Sequence, residues 1–439
     1  MANIFARSPY IITVNETGQV STKIEIFIWN GTGSAPATPQ YTLSKAIPSS
    51  TNTATNYDIS PYIREYLSHQ SADETDVPTV SFTQLNTATW CNVKVKQYYF
   101  TDGLDYLGEL SFYAFDGFTY YENGSNYDYG RFLLDSKKYY YNEDTTYAGT
   151  VSMYLNAGEK VKYGAGLSSS TATVNSVFVG FGTYEITNIT VTGDYTIFLS
   201  VGGYLYFTYV DDFASTATWT GTILSYSYNS GTNKTTITPD FAGSVPTIAG
   251  AQNNSNNQTL NTGTSEIYTV PTSKWYCVPR VSGGLNKLFV LNSSDAVIKS
   301  WEFVPICEPK YTPVTIDFIN KYGAWQKEFF FKASKTNIAI ESNDYNVMQS
   351  SVSNFDTFQG QKKSFNTNGK ETISVNSGYV TEDFSDNIKE LLMSERILVD
   401  NKPAICRTKS LELIKNINNH MINYSLEFEF AYNAINNVI

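Results

Sequence analysis

The sequence predicts a mainly β, multi-domain protein with a few short α-helices. Its parts are β-sandwich or barrel-like modules, an inserted β domain and a C-terminal helix-plus-sheet module. Three observations lead there. The chain has 439 residues, more than one ordinary hydrophobic core accommodates. Tyr (34) and Phe (26) are abundant while only 16% of residues are charged, a composition that suits pleated, half-buried surfaces better than helices. From 421 to 432 the residues Ile422, Tyr424, Leu426, Phe428, Phe430 and Tyr432 share one face, with Asn423, Ser425, Glu427 and Glu429 on the other. That period of two is the signature of a strand with one face in a core.

The closing module justifies itself residue by residue. Phe384, Ile388, Leu391 and Leu392 fall at i, i+4, i+7 and i+8, one stripe of a helix near 382–393. Thr381 is positioned to cap it, with Glu382 and Asp383 in a first turn that favours negative charge. Strands are expected at 396–400, 404–409 and 410–415, with a turn at Asn401-Lys402-Pro403.

Residues 1–118 read as an N-terminal β domain with one short helix. Val20, Ile24, Ile26 and Ile28 form one face of a strand, opposite Lys23 and Glu25, until Phe27 and Trp29 make the second face aromatic. Further strands are expected at 41–45, 90–101 and 109–115. Ser60-Pro61 is a helix start, with Ser as cap and Pro at the first helical position, and Ile59, Ile63, Tyr66 and Leu67 supply its apolar side. Residues 71–78 read as an acidic loop.

Residues 119–165 form Tyr-rich connecting strands, including Tyr120, Tyr121, Tyr127, Tyr129, Tyr139, Tyr140, Tyr141, Tyr147, Tyr154 and Tyr163. Tyr suits half-buried strands, protein interfaces and sugar stacking alike. Residues 166–265 change to low charge with many Gly, Ser and Thr, and short strands recur at 174–179, 184–191, 195–201, 204–210, 218–228 and 234–238. These make an inserted β domain, and 251–263 reads as a polar exposed loop. Residues 266–439 form the C-terminal β domain. It contains a hairpin of 314–319 and 324–332 around Asn320-Lys321-Tyr322-Gly323, a turn at Ser342-Asn343-Asp344, and polar strands over 362–375.

The net charge of −11 opposes binding to a nucleic-acid backbone, so no sequence-specific nucleic-acid binding is expected. No segment has the length and hydrophobicity of a membrane-spanning helix, and residues 1–19 lack the order of a signal peptide, so the expectation is a soluble protein made in a cytoplasm. Cys91, Cys277, Cys307 and Cys406 are far apart and lack CxxC spacing, and so suggest neither a disulfide framework nor a zinc site. Triplets such as Asn123-Gly124-Ser125 and Asn188-Ile189-Thr190 follow from an Asn/Ser/Thr-rich composition.

Chemistry-bearing constellations are weak throughout. With only His69 and His420, each read as a solvated loop residue, a His-based triad or metal site is not expected. Asp211-Asp212 is the best carboxylate pair, yet adjacent strand residues point to opposite faces and would not flank one glycosidic bond. Asp73, Glu74 and Asp76 lack the ligand spacing and Gly of a calcium loop. No phosphate-cradling GxxxxGK[ST] occurs. The reading is therefore of a non-enzyme, with no catalytic, cofactor-binding or metal-ligating residue and no cofactor.

Four stretches carry a resemblance. They are Arg7-Ser8-Pro9-Tyr10 with the strand over 22–29, Tyr57-Asp58-Ile59-Ser60-Pro61-Tyr62-Ile63-Arg64-Glu65-Tyr66, the segment from Thr312-Pro313-Val314 to Asn320-Lys321-Tyr322-Gly323-Ala324-Trp325-Gln326, and the closing module. Together they resemble tail and neck proteins of short-tailed, crAss-like bacteriophages, over about 1–70 and 305–439 and not over 166–265. The resemblance implies a virion protein assembled in the host bacterial cytoplasm. It would be a ring or tail-hub subunit that helps form the genome-exit conduit or anchors other tail parts. Its partners would be copies of itself, portal-side ring proteins and fibres. The alternative is a receptor-binding, tail-fibre or spike protein contacting host surface glycans; the lack of a fixed-period repeat counts against a fibre shaft. A glycan-cleaving tail enzyme ranks third.

Overall fold

A computed structural model describes residues 2–31, 33–68, 83–85, 90–142, 144, 147–163, 168–169, 173–180, 183–192, 199, 204–210, 216–241, 247–249, 259–261, 266–281, 287–308, 310–347, 358, 360–410 and 421–435. It is built mainly of strands arranged in several sheets, with two short α-helices among the described residues, α1 (Ser60–Ser68) and α2 (Phe384–Leu392). The chain divides into two compact units, one of 1–155, 274–280 and 305–439, the other of 156–273 and 281–304.

In the first unit, the N-terminal sheet runs in the order Ala2–Phe5, Leu104–Phe115, Trp90–Phe100, Ser21–Trp29, Tyr41–Ala46. Ala2–Phe5 pairs parallel to Leu104–Phe115, and the other neighbours are antiparallel. Ile24, Ile26, Ile28, Val93 and Val95 lie on the face that meets Ile59, Ile63 and Leu67 of the α1 region. The expected alternation therefore drives this core, and Phe27 is buried on the second face as well. Val20 differs: it precedes the strand and is exposed. The Ser60 hydroxyl, expected to cap α1, donates instead to the Asp58 carboxylate (2.6 Å).

The closing module forms a sheet of seven strands, ordered Trp325–Phe330, Val314–Ile319, Ile397–Val399, Lys402–Cys406, Met421–Asn433, Lys362–Thr381, Lys335–Asn346. Ile422, Tyr424, Leu426, Phe428 and Phe430 are buried in one core with Phe384, Ile388 and Leu391 of α2. Three expectations are corrected here. Thr381 ends a strand and does not cap α2, whose N-cap is Asp383 with no side-chain cap bond. The turn after Val399 is Asp400-Asn401, both at positive φ, while Lys402 and Pro403 already lie in the returning strand. Asp and Asn tolerate the left-handed region that a two-residue hairpin turn demands, and Lys-Pro does not. Ser342-Asn343-Asp344 is not a turn but part of the edge strand Lys335–Asn346. Of the strand expected over 410–415, Ser410 lies outside any strand and 411–415 are outside the described residues.

The second unit holds an antiparallel sheet through Glu266–Thr269, Lys160–Tyr163 and Lys287–Leu291, the last paired to Val297–Ile306. It also holds a larger sheet containing Thr173–Gly180, Thr183–Thr192, Lys234–Phe241, Thr216–Asn229 and Tyr204–Val210. Of the expected strand 195–201, only Leu199 is described, outside any strand, and most of the polar loop 251–263 falls outside the described residues, apart from a short strand at Thr259–Asn261.

Candidate functional site

Segments from the early and late parts of the chain meet in the first unit through a polar joint. Gly117 and Gly323 lie backbone against backbone: a Cβ on Gly117 would overlap the Lys321 carbonyl, and one on Gly323, at φ +77°, would sit 2.8 Å from the Asp116 nitrogen. The Phe118 N–H donates to the Lys321 carbonyl at 2.7 Å. Arg7 donates to the Met393 carbonyl (3.1 Å) and, with Arg64, shares the Glu395 carboxylate at 3.2 and 2.9 Å.

Deeper in the joint, the Lys321 ammonium lies 2.8 Å from Asp135 and 3.2 Å from Glu390, and the Tyr322 hydroxyl donates to Asp135. A chain of amides continues inward. Asn320 Nδ2 donates to Gln326 Oε1 (3.2 Å), and Gln326 and Asn387 both donate to Glu328 Oε1 (2.8 and 3.0 Å). On the adjoining hairpin, Lys327 pairs with Asp317 across the ladder at 2.7 Å.

Burial, ahead of the opposing attraction of Lys321, pushes the Glu390 carboxyl above the usual carboxylate range. Burial alone would lower the Lys321 ammonium and raise Asp135. The two carboxylates outweigh it for Lys321, whose pKa rises, and hydrogen bonds from Lys321 and Tyr322 outweigh it for Asp135, whose pKa falls. Tyr322 is raised, first by burial and then by Asp135. These ionisable groups are spent on one another across segments far apart in the chain. Chemically the arrangement is a clamp.

An aromatic cluster lies against the joint. Trp275 packs edge-on to Phe115 (4.8 Å between centroids), Tyr154 (5.5 Å) and Tyr113 (5.7 Å), while Tyr129 meets Tyr322 at 4.9 Å. Several residues of the Tyr-rich stretch are therefore core: Tyr139, Tyr141 and Tyr163 are buried, while Tyr121 and Tyr127 are exposed.

Among the described residues, an exposed arm is formed by Lys335–Asn346 and the start of Lys362–Thr381. All twelve residues of Lys335–Asn346 are exposed, and among the described residues this strand pairs only with Lys362–Thr381. Ile338 and Ile340, two apart and so on one face, are 53% and 71% exposed. Tyr345 and Phe365 pack edge-to-face at 5.6 Å, each about half exposed. A long, unpaired sheet edge carrying exposed Ile side chains is a template for another chain, and natural proteins cover it or use it.

Of the residues weighed from sequence, His69, His420, Asp73, Glu74, Asp76, Asp211 and Asp212 lie outside the described residues. Cys91, Cys277 and Cys406 are buried and Cys307 is exposed, all as free thiols. Burial pushes the Cys277 thiol up to about 11. Among the described residues, no group of three His, Cys, Asp or Glu side chains is arranged to hold a metal, and no helix is long and apolar enough to cross a membrane. Comparison with protein families, curated proteins and solved structures finds no match to this chain.

Proposed function

We propose that this chain is a structural virion protein of a tailed bacteriophage. It acts as an oligomeric ring or tail-hub subunit at the neck or tail that helps form the genome-exit conduit or anchors other tail parts. The observation that carries this reading is the arm, a twelve-residue edge strand exposed along its whole length with Ile338 and Ile340 on one face. Such an edge is a liability in a free monomer and an asset in a subunit meant to be paired. The resemblance supplies the setting. Its stretches fall within the first unit, where Arg7, Arg64 and the Asn320–Gln326 turn region build the joint. A clamp that locks early and late parts of the chain into one body suits a component that bears load between neighbours.

The test is the oligomeric state of the purified full chain, by light scattering and negative-stain imaging. Closed rings or defined oligomers are expected. A protein that stays monomeric at every concentration and salt tested contradicts the reading. Sugar binding alone does not discriminate, because a hub subunit can also carry a glycan contact.

A further inference from the structure

The arm contains a concavity that the assembly reading leaves unused. Two irregularities in neighbouring ladders lie on either side of residues 368–370: the Lys335–Asn346 pairing slips between Glu341 and Asn343, and the pairing with Met421–Asn433 slips between Lys370 and Thr372. Bulges of this sort re-aim side chains and interrupt the ladder. Asn366 sits inside the first slip at φ +51°, an uncommon conformation for a residue with a side chain. The result is a cleft of about 240 Å³ lined by Glu341, Ser342, Asn343, Asn366, Lys370 and Asn433, among others.

The lining chemistry narrows the ligand. Among the described residues, the side chains of Ser342, Asn343, Asn366 and Asn433 make no hydrogen bond, so three amides and a hydroxyl face the cleft without a partner there. An amide offers a donor and an acceptor on one plane, and each hydroxyl of a sugar is both donor and acceptor. The two charges in the cleft, Lys370 and Glu341, are 3.2 Å apart and cancel. The ammonium on Glu341 opposes a metal cation, which needs several oxygen ligands free of competing charge. The carboxylate on Lys370 opposes a phosphate. What remains is a neutral polyhydroxylated ring.

The Tyr345–Phe365 pair adjoins the lining: Phe365 is next to Asn366 in the chain and opposite Asn343 in the ladder. Exposed aromatic faces pack against the C–H face of such a ring. The volume falls below the roughly 300 Å³ at which drug-sized pockets begin, which fits one ring and not an enclosed chain.

We infer that this cleft is a binding site for a single neutral saccharide residue, a hexose or N-acetylhexosamine presented by a glycan. The inference is independent of the ring reading, and neither failure entails the other. Saturation-transfer difference NMR on the full chain tests it, with the methyl glycosides of glucose, galactose, mannose and N-acetylglucosamine as probes. At least one should bind with a Kd of about 1 mM, in keeping with a ligand of about a dozen heavy atoms.

Asn343→Ala combined with Asn433→Ala should weaken that binding roughly tenfold or more. Asn366→Gly, which keeps the backbone conformation and removes the amide, should weaken it as well, and Phe365→Ala should do so by roughly threefold to tenfold. All these positions are exposed, so circular dichroism and thermal unfolding should stay unchanged. No transfer from any of the four glycosides, undiminished transfer in the variants, or calcium or inorganic phosphate occupying the cleft instead would overturn the inference.

Discussion

At the scale of single residues, the joint makes the sharpest demands, because Lys321 and Glu390 are nearly buried (side-chain exposures 11% and 3%) and Lys321, also paired with Asp135, is the cation that balances Glu390. Lys321→Met removes the cation and leaves a buried carboxylate, so it should cost about 3–5 kcal/mol. Adding Glu390→Leu should recover much of that loss, a coupling measurable by a double-mutant cycle in chemical denaturation. Glu390 holds its proton more tightly folded than unfolded, so its contribution is fully present below the unfolded carboxylate pKa and declines as pH rises through the folded value. Without Lys321 that decline steepens. The variant should therefore fall further behind the wild type at about pH 8 than at about pH 5. An equal deficit at both would refute the assignment. Gly117→Ala, whose new methyl would overlap the Lys321 carbonyl, should lower stability by about 1–3 kcal/mol as measured by urea unfolding.

At the scale of elements, α2 and the arm behave as opposites. Ile388 is fully buried against the closing strand, and Ile388→Ala should cost about 2–5 kcal/mol, read from the unfolding midpoint. On the arm, Ile338→Lys with Ile340→Lys should change the stability of the folded chain by only about 0.5 kcal/mol. The same pair of charges should abolish or sharply weaken self-association in light scattering. Association unchanged by the double substitution would remove the arm from the assembly surface.

What was legible in the sequence follows the same division. The closing strand and α2 were readable because one face of each is buried, and burial imposes a period. Thr381 has the chemistry of a cap for α2, yet its pairing with Met421 holds it in the preceding strand. Ser342-Asn343-Asp344 reads as a turn although it lies in a strand, because a strand exposed on both faces needs no alternation, which leaves only its turn-forming residue types to read. The joint was invisible for a different reason. Asp135 and Lys321 are 186 positions apart, and Lys321 and Glu390 are 69 apart. No local pattern announces such a meeting. Trp275 likewise enters the core of the first unit from a short returning segment, 274–280, that local periodicity could not assign.

At the scale of the whole molecule, the two units divide the labour of the chain. The first unit draws together both ends of the sequence, with buried ion pairs and facing glycines that fix their geometry. The second is a β-rich insertion of low charge, 156–273 with 281–304. Under the proposed function, the buried charges serve internal clamping and the exposed Lys335–Asn346 edge serves assembly. If the proposal holds, electron microscopy of phage particles that contain this chain tests it most directly. The account predicts closed rings of this chain around the genome-exit axis, with the Lys335–Asn346 edge covered by a neighbour. Single copies at the tip of an appendage, with that edge left open, would contradict it.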